Sequence, residues 1–318
     1  STINIIDGGV FSPPTKATGQ LAFNIASFVL SKHPKNKIQY HFLPTNKYYN
    51  KPWVRCVSEE DRLIMLDNLV KYIHSNYKVP SNISFKVDDW EIKWGKKNKA
   101  PSTSLNTINN HFSKAQQKSL YLCHSIENII QRVKGEWQNS LQLLFMIKFI
   151  VYDIYSSEII GSNNAQNYVF KQFDLIELLK QGNGTFPQPL LKYFNKNNIS
   201  KQDIEDFIQF NKNPNKFEGI KNLIMQNILF LPKHLVPESY KSMAGNRVRE
   251  ELDVYYSSLK NLQKFITPET QKHILDQNLY HHCKSTYQSK LVSKTRSKKR
   301  TSKSKSKSKS KSKSKKKK

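Results

Sequence analysis

Residues 8–20 read GGVFSPPTKATGQ. On one side lies a short apolar run, Ile3–Ile6, and on the other a helical one, Leu21–Leu30. Strand, glycine turn and helix start in that order form a cradle for an anion. Backbone N–H groups and the positive helix end converge there.

Outward from this stretch, the first third of the chain alternates strand and helix. Lys37–Leu43 reads as a second strand and Ile83–Val87 as a third. Between them, Ser58 precedes Glu59, Glu60 and Asp61, a favourable helix start. Leu63, Leu66, Leu69, Val70 and Ile73 then recur at helical spacing and predict a helix over 58–76. Strands separated by helices imply βαβ units and a parallel sheet. Residues 95–118 are polar and aperiodic and read as a loop, and 119–156 reads as mainly helical. Glu158–Ile160 reads as a strand end leading into a helix. The Asn/Lys-rich stretch 182–226 suggests weak helical pieces. Ile228–Leu231 reads as the last strand, with closing helices at Arg247–Leu262 and Pro268–Leu279.

The 318 residues carry a net charge of +28. Fifteen of the basic residues lie between Lys294 and Lys318, where there is no acid, which leaves +13 on the rest. A basic body with a more basic Ser/Lys tail points to polyanions: nucleotides, nucleic acid or an anionic surface. From Ser285 onward the composition predicts disorder. The longest apolar run, Leu141–Ile154, is interrupted by Lys148 and Asp153, so no transmembrane segment is expected. Three widely spaced cysteines, Cys56, Cys123 and Cys283, suit free thiols in a reducing intracellular compartment, cytoplasmic or nuclear. His281, His282 and Cys283 are adjacent and point apart on a helix, so no metal site is assigned. His111 and His124 read as solvated or capping residues, and Cys123 has no base placed beside it.

The opening stretch resembles the signature G-S/G-x-F-x-P-x-T-x-x-H of nucleotidyltransferases of the HxGH superfamily. Gly9, Phe11, Pro13 and Thr15 match, and Thr18 stands where the family has histidine. Further segments resemble nicotinamide-mononucleotide adenylyltransferases in order. These are YYNKPWVRCVSEEDRLIMLDNL (48–69), with Tyr49, Lys51, Arg62 and Met65, and FKVDDWE (85–91), with Trp90. Next comes IIGSNNAQNYVFKQF (159–173), with Asn163 and Phe173 in place of an aspartate and a tryptophan. Then SMAGNRVREEL (242–252) has Ala244, Gly245 and Asn246 in place of Ser-Ser/Gly-Thr and keeps Arg249. The last, ITPETQKHILDQNLY (266–280), resembles the family's closing helix.

The resemblance implies an α/β, Rossmann-like fold with a parallel sheet, a helical insertion and a helical C-terminal segment. It implies one domain over 1–284, with insertions at about 95–157 and 182–227; composition sets the tail over 285–318 apart from it. It further implies that Gly9, Val10, Phe11, Thr15, Lys16, Lys51, Asn163, Asn246 and Arg249 contact nucleotide, and that Trp90 stacks on the nicotinamide ring. Thr18 would hold the catalytic position without the charge of a histidine, with Lys16 and Lys51 as the nearby substitutes. An active member would use ATP and Mg²⁺ to make NAD from NMN. Two readings follow: an impaired or inactive adenylyltransferase-like protein whose tail binds nucleic acid or another polyanion, or an active adenylyltransferase.

Overall fold

A computed structural model describes residues 1–50, 54, 57–153, 164–242 and 259–280. Six strands form one sheet: β1 (Thr2–Gly9), β2 (Lys37–Pro44), β3 (Ile83–Val87), β4 (Leu120–Ser125), β5 (Lys148–Tyr152) and β6 (Ile228–Phe230). They are all parallel, in the order β3-β2-β1-β4-β5-β6. This is the doubly wound order, with its switch point between β1 and β4. Ligands of such sheets sit outside the carboxyl ends of the strands at that point.

The expected parallel neighbours β1, β2 and β3 are present, with Ile6 opposite His41 and Phe42 opposite Val87. The helix predicted over 58–76 is α2 (Glu59–Asn76), and Ser58 caps it by accepting from the Asp61 N–H. α1 (Lys16–Lys32) starts before the predicted apolar run, because Thr15 caps it. α1 and α2 cover one sheet face, where Leu21, Ile25, Val29, Leu66 and Leu69 meet Ile3, Ile5, Tyr40 and Phe42.

The middle of the chain departs from its reading. The expected loop at 95–118 holds the end of α3 (Trp90–Asn98), then α4 (Ser104–His111) and α5 (Lys114–Gln117). α4 and α5 form because of local caps: Thr103 accepts from the Asn106 N–H, and Ser113 with Gln116 closes a capping box. Residues 119–156 are not mainly helical. They contain α6 (Ile126–Val133) and α7 (Ser140–Met146) framed by β4 and β5, so the stretch assigned to an insertion supplies two inner strands. LYLCHS and KFIVY are inner strands covered on both faces, which makes them near-continuous apolar runs without the alternation that marks a half-buried strand.

The second face is covered by α4, α6 and α7, and by α9 (Leu175–Gly182), α10 (Gln188–Lys196), α11 (Lys201–Phe210) and α12 (Gly219–Met225), after the short α8 (Ala165–Lys171). The Asn/Lys-rich stretch therefore joins the core through Leu190, Phe194, Phe207, Phe217 and Ile224. After β6 come α13 (Glu238–Ser242), a 3₁₀ turn at Leu259–Lys264 and α14 (Pro268–Asp276). α14 and its flanks form a third cluster with α2, in which Ile266, Ile274 and Tyr280 meet Val57 and Met65. Among the described residues no helix is long and apolar enough to cross a membrane. The expected elements at Glu158–Ile160 and from Arg247 to Ser258, and the tail over 285–318, lie outside the described residues.

Candidate functional site

The turn after β1 is held from several sides. Thr45 N–H donates to Gly9 O at 2.9 Å. Arg62, fully buried, donates from Nη1 to Val10 O at 3.0 Å and from Nη2 to Thr45 O at 2.7 Å. Its guanidinium thereby clasps the turn to the end of β2. Phe11 takes a positive φ of 48° and sets its ring edge-on to Phe42. Ser12 and Tyr280 share a hydroxyl hydrogen bond of 2.9 Å.

The start of α1 is engaged by the chain itself. Lys16 N–H donates to Phe265 O at 2.8 Å, and Lys16 Nζ donates to Gln263 O at 2.6 Å. Thr18 N–H donates to Thr15 Oγ1, and the two threonine hydroxyls lie 3.0 Å apart. Anions bind at helix N-termini through N–H groups without intrahelical partners. Two of those donors are engaged here.

Trp90 opens α3 just past the carboxyl end of β3. Its ring lies nearly parallel to His111 at 5.3 Å and to Trp94 at 6.4 Å. The expected stacking surface therefore already has two ring neighbours. Trp90 N–H donates to Asp88 Oδ1 at 3.2 Å.

Asp88 is the centre of a polar cluster that the sequence reading did not assemble. Its Oδ2 lies 2.7 Å from His41 Nδ1 and 2.7 Å from His111 Nε2. His41 Nε2 faces Asn4 Oδ1 at 3.1 Å. Lys86 Nζ, on a half-exposed side chain, stands 3.7 Å from the same Asp88 oxygen. Burial pushes the Asp88 carboxyl up, but the hydrogen bonds from His111 and His41 outweigh it and hold it well below the usual carboxylate range. His111 is therefore not unpaired, a correction to its reading as a solvated residue. The cues were polar residues inside apolar strands: Asn4 in INII and His41 in YHFL.

His124 is also paired. It is the last residue but one of β4, beside the switch point, and accepts at Nε2 from Arg132 Nε at 2.7 Å, while its Nδ1 donates to Cys123 O at 2.8 Å. Burial and the neighbouring guanidinium hold His124 well below the usual range, which keeps it neutral. Arg132 also donates to Ser104 Oγ at 2.9 Å and lies over the Trp137 ring at 4.8 Å. Burial pulls it down to about 10.

Two further acids at this edge are shifted upward. Asp7 accepts from Tyr40 O–H at 2.9 Å, and burial raises it to about 6. Glu91 accepts from Thr107 O–H at 2.9 Å, and burial raises it to about 7 despite that bond.

Of the residues named from sequence, Gly9, Val10, Phe11, Thr15, Lys16 and Thr18 lie together on the turn and the start of α1, and Trp90 follows β3 at the same sheet edge. None of them lines the cavities of about 450, 710 and 560 Å³. Phe173 packs against the core on the second face. Lys51, Asn163, Asn246 and Arg249 lie outside the described residues. The strand beside β1 ends in Cys123-His124-Ser125, so the described groups at the switch point include His124 and Arg132.

No family model and no curated protein matches the chain. Solved structures do match in fold. Plasmodium falciparum nicotinic acid mononucleotide adenylyltransferase complexed with NaAD aligns at 13% identity and a TM-score of 0.50, over 88% of this chain and 97% of that one. The same enzyme complexed with APC aligns at 14% identity and a TM-score of 0.49, over 88% and 96%. The chain has the α/β, Rossmann-like architecture seen in the NaAD complex.

Proposed function

We propose that this chain is a catalytically disabled adenylyltransferase-like protein that works by binding polyanions. The observation that carries the reading is the start of α1. Thr18 stands at the position where the resembling signature has a histidine, and the Lys16 and Thr18 amides are engaged within the chain. Adenylyl transfer joins a mononucleotide phosphate to the α-phosphate of ATP and expels pyrophosphate. The protein's part is to align two polyanions and to stabilise transition-state charge. A threonine hydroxyl brings no positive charge to that position. Loss of such a donor costs about 2.7–4 kcal/mol, or roughly 10²–10³ in rate. Asn163 and Ala244–Asn246 remove a carboxylate and hydroxyls that the resemblance would place around nucleotide and Mg²⁺.

The partner on this reading is nucleic acid, reached through Lys294–Lys318 and aided by the basic body, in a reducing intracellular compartment. Lysines spaced by serines reach phosphates rather than ordered base edges, so the binding has little sequence preference. A second reading, an active enzyme making a dinucleotide from ATP, Mg²⁺ and a nicotinamide or nicotinic acid mononucleotide, is favoured by Arg132. That buried cation near the switch point has only neutral partners among its described hydrogen bonds.

Two measurements test the reading. Dinucleotide formation from ATP and either mononucleotide should be absent, and turnover on the order of 1 s⁻¹ or more overturns the disabled site. Short duplex DNA should bind the full chain with an affinity that falls about 10³–10⁵-fold between about 50 and 200 mM salt if six to ten phosphates are contacted. A chain ending at Ser285 should lose most of that affinity and slope. If both are unchanged, the tail is not the binding element.

A further inference from the structure

We propose that His41, Asp88 and His111 form a binding site for a divalent transition-metal ion, with zinc the best chemical fit. The three residues come from separate elements: the middle of β2, the loop after β3 and the end of α4. One ligand atom from each lies within 4.8 Å of the other two. Two imidazole nitrogens and one carboxylate oxygen are a donor set for zinc and similar ions, and not for magnesium or calcium, which take oxygen ligands.

The geometry is close to that of a ligated ion. Each histidine nitrogen is 2.7 Å from Asp88 Oδ2. Around a tetrahedral zinc with bonds of about 2.0–2.1 Å, neighbouring donors stand about 3.4 Å apart. Side-chain rotations that open each pair by under about 1 Å make room.

The far atoms of two ligands are already fixed. Trp90 N–H holds Asp88 Oδ1, and Asn4 Oδ1 faces His41 Nε2. With Asn4 accepting the Nε2 proton, an ion that displaces the Nδ1 proton from its hydrogen bond to Asp88 would take the Nδ1 lone pair. An outer hydrogen bond that sets the tautomer is the usual companion of a metal-bound histidine. The facing charged group is Lys86, 3.7 Å from Asp88 Oδ2 on a half-exposed side chain that can turn to solvent.

Cost points the same way. Asn4, His41 and Asp88 are buried on the sheet face where Ile6, Leu43, Phe112 and Leu122 also pack. Burying such groups is expensive, and an apolar set of similar volume is often as stable or more so. A bound ion accounts for the cluster and would lock α4 against β2 and β3. His111 is the half-buried ligand, which leaves the ion's fourth position nearest solvent.

The test is titration of the full chain, stripped with a chelator, with Zn²⁺ and with Co²⁺. One equivalent should bind, Co²⁺ should develop visible d–d absorption, and tryptophan emission should change because Trp90 stacks on His111. His111→Gln and His41→Gln should each weaken binding by at least about tenfold, and Asn4→Ala by about 10–100-fold. A triple variant at His281, His282 and Cys283 should bind as the parent does. Failure of the parent chain to take up one equivalent overturns the proposal. So does undiminished binding in His111→Gln, which decides the matter if His41→Gln does not fold. A proton-bridged cluster would give no uptake at all.

Discussion

The turn after β1 and the loop after β3 leave the same edge of the sheet and treat their polar groups in opposite ways. The turn closes its groups on the chain. Val10 O takes Arg62, Lys16 N–H takes Phe265 O, Lys16 Nζ takes Gln263 O and Ser12 takes Tyr280. The loop gathers ionisable groups from β2, β3 and α4 onto one oxygen of Asp88 and leaves one side, at His111, half open. The turn has the recognisable sequence, and the loop has the convergent chemistry. A glycine, an aromatic and a proline specify a backbone path. They do not specify that the amides along it stay free for a ligand.

The largest effect that can break this comparison is at Arg62. If the turn depends on that clasp, Arg62→Met leaves two carbonyls without their donor inside the protein. Stability should then fall by about 3–5 kcal/mol, read by denaturant unfolding. A loss under about 1 kcal/mol would mean that the turn holds its shape unaided, and that the contrast with the loop is not one of closure.

Arg62 also shows how far the sequence could be read. Its place in a family-like segment was visible, as were the cap at Ser58 and the strands β1, β2, β3 and β6. These rest on local signals: alternation, caps and turn residues. The cap at Thr15 was not read, so α1 was expected to start later than it does. β4 and β5 were not visible, because strands buried on both faces carry no alternation. The Asp88 cluster was not visible either. Asn4, His41, Asp88 and His111 span over a hundred positions and meet only through β1–β2 and β2–β3 pairing and the seating of α4. Trp90 was singled out from the same loop for its resemblance, while the neighbouring aspartate, which makes the contacts, was passed over.

Next in size is a pH effect with one acid from each region. Asp7 lies near the end of β1 and is raised to about 6; Glu91 follows β3 and is raised to about 7. Their ordinary values are 3.8 and 4.5, so between those values and 6 to 7 the folded chain holds protons that the unfolded chain has released. Stability from these groups is therefore full at low pH and is lost as pH rises through that window. Asp7→Asn and Glu91→Gln keep an oxygen for Tyr40 and Thr107 and remove the buried charge. Each should raise stability at about pH 8 by about 2–3 kcal/mol and change little at about pH 4. Thermal melts at both pH values decide it. A variant that is less stable than the parent at high pH would show that its carboxylate is held ionised, as at Asp88.

A smaller effect is expected at Lys16. Its ammonium engages Gln263 O at the surface, so Lys16→Met should cost under about 1 kcal/mol. Calorimetry with ATP should give the same result for parent and variant. A tenfold loss of ATP affinity would mean that Lys16 leaves Gln263 for a phosphate, and the turn would then be an open site like the loop.

The smallest expected effect is the most informative about the turn. Thr18→His restores the residue type of the resembling signature at a half-buried position on the first turn of α1. It removes a hydroxyl contact with Thr15 and leaves Phe265 O on the Lys16 amide. If closure of that helix start disables the site, the ring alone has no aligned phosphate to act on, and dinucleotide formation stays at the parent's level. A gain of about 10²–10³ in rate is what one well-placed donor supplies. Such a gain would mean that the C-terminal segment yields to nucleotide and that the missing histidine was the whole defect. The turn and the loop would then differ by one side chain rather than by closure.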